Sequence, residues 1–227
     1  QRNRGGRARG EVRGKVEAGS GPVREAQPLA HVAQAHAAAT CLGFETEAVV
    51  GDGRATVWVA GCGMDADDAE AAARVSAAIA AGAPIVLDAA ASARGAEAAG
   101  RAILTPHAGE LARILGVERA AVLADPEAAA CEAADRSGAV VLLKGAVTRV
   151  VAPGQPVLLV QEAPPWLATA GAGDALAGVL GALLATRAAR GPLSASDLAA
   201  LAATAAFVHG RAAALASAGG PLTVLDL

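Results

Sequence analysis

The sequence predicts a three-layer α/β fold, a mostly parallel sheet with helices on both faces. Two observations lead to it: short continuous apolar runs, and the Ala-rich helical stretches that separate them. Strands buried on both faces read as unbroken apolar runs. Thr56–Ala60 (TVWVA) is the first, followed by the turn Gly61-Cys62-Gly63 and a helix from about Asp65 to Ala81. Pro84–Asp88 (PIVLD) is the next strand, and Ile103–Leu104 is a short one running into Thr105-Pro106-His107 and a helix through Leu115. Pro126–Arg136 reads as helix, with proline well suited to its first turn. Ala139–Leu143 is a strand, and Val147–Val151 pairs with Pro156–Val160 across the Pro153-Gly154 turn. Two long helices, Asp174–Arg187 and Ser196–Ala216, close the chain. No 20–50-residue repeat interrupts this order.

With 227 residues, the chain has the length of one full α/β domain. Residues 1–24 carry seven basic residues against Glu11 and Glu17, with many glycines and no apolar face, and read as a mobile basic arm. Residues 25–227 are expected to form one domain. Aromatic content of 2% and a net charge of -3 argue against a base-stacking or electrostatic nucleic-acid surface. No apolar run reaches the ~18 residues of a membrane span, the longest being Ala175–Ala185. No apolar stretch with a cleavage site follows the basic N-terminus, so a cytoplasmic address is expected. Cys41, Cys62 and Cys131 are far apart and read as small packing residues in a reducing compartment. His31 and His36 lack the spacing of a helical metal pair, and no metal ligands are assigned.

In a sheet of this kind, ligands bind outside the carboxyl ends of the strands. The strongest chemical signal is Ala168–Gly178, a loop of small residues running straight into an apolar helix. Gly171, Ala172 and Gly173 allow close backbone approach, and a helix N-terminus offers free N–H donors and partial positive charge to a phosphate. Asp174 there reads as a general base beside that phosphate, or simply as a helix cap. His107 follows a strand, with Pro106 fixing the turn. Glu110 stands as a ligand candidate or as a first-turn acid favoured by the helix dipole. Lys144, one of two lysines in an Arg-using chain, ends a buried strand and suggests a point charge on phosphate or a nucleotide-facing turn. Asp88 also ends a strand, as a site-lining or a structural residue. His209 lies inside an Ala-rich helix and reads as packing or hydrogen-bonding.

Several of these segments together resemble the ADP/ATP-dependent NAD(P)H-hydrate dehydratases of the ribokinase-like superfamily. ATAGAGDALAGVLGALLA (168–185) is similar to that family's signature, Leu104–Arg113 to its T-P-H-x-G-E segment, and Leu142–Thr148 to its L-K-G-x-x-T segment. Val86–Ala89 resembles its strand ending in Asp-Ala, and Val208–Ala213 its late helix. The likeness runs in order from Thr56 to the C-terminus. Over the first ~50 residues only Ala18-Gly19-Ser20 is similar. The family's G-P-G-L-G loop stands here as Gly61-Cys62-Gly63-Met64-Asp65, and its second acid after Asp88 is replaced by Ala90.

The resemblance implies a reaction, the nucleotide-driven loss of water from hydrated NADH or NADPH. It implies phosphorylation of the ring hydroxyl, with Asp174 as base, followed by departure of phosphate. ADP or ATP would be co-substrate, with Mg²⁺. His107, Gly61, Gly63 and Asp174 would meet the dinucleotide. Lys144, Gly145, Ala146, Val147 and Thr148 would line the nucleotide pocket with Gly171, Ala172 and Gly173. Small molecules, with neither nucleic acid nor membrane, are the implied partners, and a homotetramer is the family's habit. Two other readings stay open: a related kinase of a small vitamin precursor, and a nucleotide-binding relic without catalysis.

Overall fold

The computed structural model describes residues 55–64 and 67–227. The basic arm 1–24, His31, His36 and Cys41 lie outside the described residues. Six strands form one sheet in the order β1 to β6: β1 Trp58–Ala60, β2 Ile85–Leu87, β3 Ala102–Leu104, β4 Val140–Leu143, β5 Thr148–Val151 and β6 Leu158–Val160. The first four pair in parallel, with Trp58 opposite Ile85, Ile85 opposite Ala102 and Ile103 opposite Val140. β5 and β6 continue the sheet antiparallel.

The linear strand order explains the layers. Right-handed crossovers that step in one direction put every connecting helix on the same face. α1 (Ala69–Ala80), a 3-10 segment (Ala89–Ala98), α2 (Ala108–Leu115), α3 (Arg119–Ala124) and α4 (Pro126–Ser137) make those connections. Their Val75, Ala91, Leu111, Val122 and Ala130 share one core with Ile85, Leu87, Leu104, Val141 and Leu143. The opposite face is left to the two helices that follow the antiparallel strands, α5 (Ala172–Ala188) and α6 (Ala195–Ser217). Their Leu176, Leu180, Leu184, Leu198 and Ala202 pack on Val86, Ile103, Val140, Leu142 and Val150. Neighbouring residues of β2, β3 and β4 therefore feed different cores, which is why these three strands are apolar throughout. The predicted three-layer α/β architecture is the observed one.

Several element limits differ from expectation for identifiable reasons. α1 starts at Ala69 rather than near Asp65 because the Asp68 carboxylate accepts the Ala71 N–H at 2.9 Å and so fixes the cap. α5 starts two residues before Asp174, at Ala172. α3 and the 3-10 segment went unforeseen: six residues are too few for a helical period, and 89–98 is Ala/Gly-rich without one. Among the described residues the longest apolar segment is α6 rather than Ala175–Ala185. Its 23 residues average a hydropathy of 1.4 over a span-length window, yet its Leu198, Ala199, Ala202, Ala205 and Ala206 close the second core.

Candidate functional site at the strand ends

The carboxyl ends of β1 to β4 and the N-terminus of α5 bring together Gly61, Asp88, His107, Glu110, Lys144, Gly173 and Asp174 of the predicted residues. Gly61 leaves β1 with φ +106°, and its Cα lies so close to the Asp88 carbonyl that a Cβ would sit 2.0 Å from that oxygen. Only glycine fits there. One residue beyond β2, Asp88 is 4% exposed. Its Oδ1 accepts from Thr105 Oγ1 at 2.6 Å and from Lys144 Nζ at 2.9 Å. A buried carboxylate needs such partners, since desolvation of an unpaired charge is costly. Ala89, next in the chain, adopts φ +46°, a left-handed conformation that L-residues with a Cβ rarely take. Strain of this kind collects where the surrounding structure fixes a functional group.

After β3, His107 is the N-cap of α2. Its Nδ1 accepts the N–H groups of Gly109 (2.9 Å) and Glu110 (3.3 Å), and Glu110 Oε2 accepts the His107 N–H at 2.8 Å. This is a capping box with histidine in the place of the usual hydroxyl residue. Glu110 Oε1 also lies 3.2 Å from His107 Nε2. Nδ1 is thus taken up by the cap, while the ring is exposed and Nε2 lies beside the Glu110 carboxylate. The sequence left Glu110 between two roles; it fills the first-turn role and also stands 3.8 Å from Lys144 Nζ.

Lys144 continues the β3–β4 register three residues past its last pair: it bridges to His107, and its N–H donates to Pro106 O at 2.8 Å. Gly145 and Ala146 are exposed in the turn that follows, and Val147 and Thr148 are half-buried where β5 begins. The N-cap of α5 is Gly171, at φ +85° and with no side chain to bond the first-turn amides. Asp174 is therefore not the cap but the third residue of the helix. Its carboxylate, the Asp88 carboxylate and Cys62 Sγ have ligand atoms within 4.8 Å of one another. A Cβ on Gly173 would lie 3.3 Å from Lys144 Nζ and 3.6 Å from Asp88 Oδ2.

Cys62 and Thr105 are the site residues that sequence reasoning missed. Cys62 was taken for packing, although its position between two glycines just after a strand was a usable signal. Burial first, then the charges of Asp88 and Asp174 and a hydrogen bond to Asp174, push its thiol up to about 12. It stays protonated and is no nucleophile. Gly63 is exposed on the same loop. His209 is buried in α6, its Nε2 has no hydrogen-bond partner, and burial pushes it down to about 4, so it is a packing residue. Among the described residues, the site combines an uncapped helix N-terminus, a carboxylate in its first turn and a held ammonium.

These features define an α/β protein with its polar groups gathered where a helix opens onto the ends of parallel strands. The chain belongs to the NAD(P)H-hydrate dehydratase family, whose carbohydrate-kinase-type model matches residues 12–225. It is 44% identical over 142 residues to the bifunctional NAD(P)H-hydrate repair enzyme Nnr of Mycobacterium tuberculosis, covering 59% of this chain and 29% of that protein. It is 46% identical over 83 residues to the ADP-dependent (S)-NAD(P)H-hydrate dehydratase of Neisseria meningitidis serogroup B, covering 37% of this chain and 28% of that protein. A Bacillus subtilis ADP/ATP-dependent NAD(P)H-hydrate dehydratase, co-crystallised with ATP and Mg²⁺, superposes with a TM-score of 0.60 at 25% identity, over 75% of this chain and 62% of that one. The chain thus spans under two thirds of the length of each of these relatives.

Proposed function

We propose that this chain catalyses the ADP- or ATP-dependent dehydration of hydrated NADH and NADPH, a repair of damaged nicotinamide cofactor. The observation that carries the reading is Asp174 in the first turn of α5, beside amides that no side chain caps. Those amides and the helix dipole stabilise charge on a transferred phosphoryl. Asp174 takes the proton of the ring hydroxyl as its oxygen attacks the terminal phosphorus. The bond from phosphorus to the bridging oxygen breaks, and AMP or ADP leaves. Phosphate then departs from the ring carbon with the bonding pair, and loss of a proton from the neighbouring atom restores the double bond. The family name and the relatives' printed activities support the overall reaction, a nucleotide-dependent dehydration.

Gly171, Ala172, Gly173 and Lys144–Thr148 serve the nucleotide. Gly61 and Gly63 border the dinucleotide. His107, its Nδ1 engaged by the α2 cap, meets it through the exposed ring. The donors also fit Mg²⁺, which prefers carboxylate oxygen. Asp88, whose Oδ2 faces Gly173, and Asp174 would hold it, whereas the protonated Cys62 thiol is a poor ligand for a hard ion. Bound there with nucleotide, Mg²⁺ supplies charge neutralisation on the phosphate oxygens.

The remaining proposals are a single domain over residues 25–227, a homo-oligomer (a tetramer by family habit, read by sedimentation) and a cytoplasmic address. The free thiols of Cys62 and Cys131 support a reducing compartment. The test of the main reading incubates hydrated NADH with the protein, Mg²⁺ and ADP or ATP, and follows the return of reduced-cofactor absorbance. Recovery is expected with at least one nucleotide. No recovery with either overturns the reading, and a stable phosphorylated product would point instead to a small-molecule kinase.

A further inference from the structure

Lys144 was assigned above with the turn that follows it, as a lining of the nucleotide pocket, yet its side chain does not stay with that turn. Its backbone is pinned to β3 through Pro106 O at 2.8 Å. Its Nζ is drawn to Asp88 Oδ1 at 2.9 Å and stands 3.8 Å from Glu110 Oε2, two carboxylates that are 5% and 14% exposed. There it lies against Gly173, the second residue of α5, with room for no more than a tight methyl contact at 3.3 Å.

An ammonium at the positive end of a helix is electrostatically disfavoured, so something must hold it there. Asp88 and Glu110 do so. The outcome is that the ammonium and the uncapped first-turn amides converge on the same space. A neutral adenine ring gains little from such a convergence, whereas a phosphoryl group that carries charge in the transition state gains from all of it.

We propose that Lys144 is a catalytic residue whose ammonium contacts the phosphoryl group being transferred, rather than the adenosine part of the nucleotide. This rests on the dehydratase reading given above. During transfer, Lys144 donates hydrogen bonds to the phosphoryl oxygens while the bond to the bridging oxygen breaks and the bond to the ring hydroxyl oxygen forms. The ammonium keeps its proton, and Asp174 takes the one that is released.

The test is calorimetric titration of the whole chain with AMP, ADP and ATP, for the native protein and Lys144→Met. The expected result is that ADP or ATP binds at least tenfold more weakly to the variant, while AMP, which has no transferable phosphoryl, changes less than twofold. An equal loss for all three overturns the proposal in favour of adenosine contact. No loss for any of them overturns it in favour of a purely structural ion pair. Should Lys144→Met fail to fold with Asp88 left unpaired, Lys144→Arg keeps the charge but crowds Gly173. It should then shift the ADP-to-AMP or ATP-to-AMP affinity ratio at least threefold, and unchanged ratios overturn the proposal. If the native protein binds none of the three nucleotides, the nucleotide-driven reading itself falls, an outcome distinct from all of these.

Discussion

The two long helices on one face of the sheet, α5 and α6, are alike in composition and opposite at their N-termini. Each carries aspartate as its third residue, Asp174 in α5 and Asp197 in α6. In α6 the N-cap is Ser194, whose Oγ accepts the Asp197 N–H at 3.1 Å, while Asp197 Oδ2 accepts the Ser194 N–H at 2.9 Å. Arg187 adds a contact to Asp197 at 3.1 Å. These bonds from Ser194, with a smaller effect from Arg187, hold the Asp197 carboxyl below its ordinary range. In α5 the N-cap is Gly171, which has no hydroxyl to offer: no side chain caps the amides, of which that of Ala172 donates to Thr169 O at 3.3 Å, and the Asp174 carboxylate has the Cys62 thiol as its neighbour. One residue at the cap separates a helix end that satisfies itself from one that can act on a ligand.

The comparison breaks most sharply at the two aspartates. Asp174→Asn should lower the rate of cofactor recovery by about 10³-fold, the usual scale for a lost general base, while Asp197→Asn should leave that rate within twofold. Equal rates for Asp174→Asn and the native chain would remove the base from the mechanism. Gly171→Ser would give α5 the cap that α6 has. Because Gly171 sits at φ +85° and a Cβ there would lie 3.2 Å from Val224, a serine is strained as well. The expected outcome is nucleotide affinity reduced roughly tenfold, the effect of about 1.4 kcal/mol, together with a lower melting temperature. Undiminished affinity would show that the open cap is not what receives phosphate.

Two smaller effects concern α6. His209 is held in its neutral form below the ordinary histidine range, near 4. Between about pH 6.5 and 4 the unfolded chain takes up that proton and the folded one does not. Stability is therefore full above about pH 6.5 and falls as the pH drops, by at most about 1.4 kcal/mol per pH unit. Denaturant melts of His209→Leu against the native chain should show a shallower acid slope in the variant; parallel slopes would refute the assignment. Finally, Ser194→Ala should cost about 1 kcal/mol of stability with the rate of cofactor recovery unchanged, the counterpart of Gly171→Ser.

Much of this architecture was legible in advance. The PIVLD and AVVLL runs marked their strands because a strand buried on both faces leaves no polar position, and TVWVA marked β1 although Val59 is exposed there. The loop before α5 marked a helix N-terminus without a side-chain cap, because glycine has no hydroxyl or carboxylate to offer the first-turn amides. What escaped had no local signature. The contact of Thr105 with Asp88 joins neighbouring strands 17 residues apart, and that of Lys144 with Asp88 joins segments 56 residues apart. Cys62 looked like any small apolar residue until the fold set it between two carboxylates.

By itself, then, the sequence determined the layers, the strands and the chemistry offered by Gly171–Asp174, because periodicity, glycine placement and helix-end electrostatics are local properties. Only the tertiary structure decided which groups are free to use that chemistry. It engaged Nδ1 of His107 in a cap, turned Lys144 away from its own turn toward Gly173, and gave Asp174 the Cys62 thiol in place of the capping serine that Asp197 has. Such allocations depend on which strand ends become neighbours across the sheet, and no window of sequence contains that information.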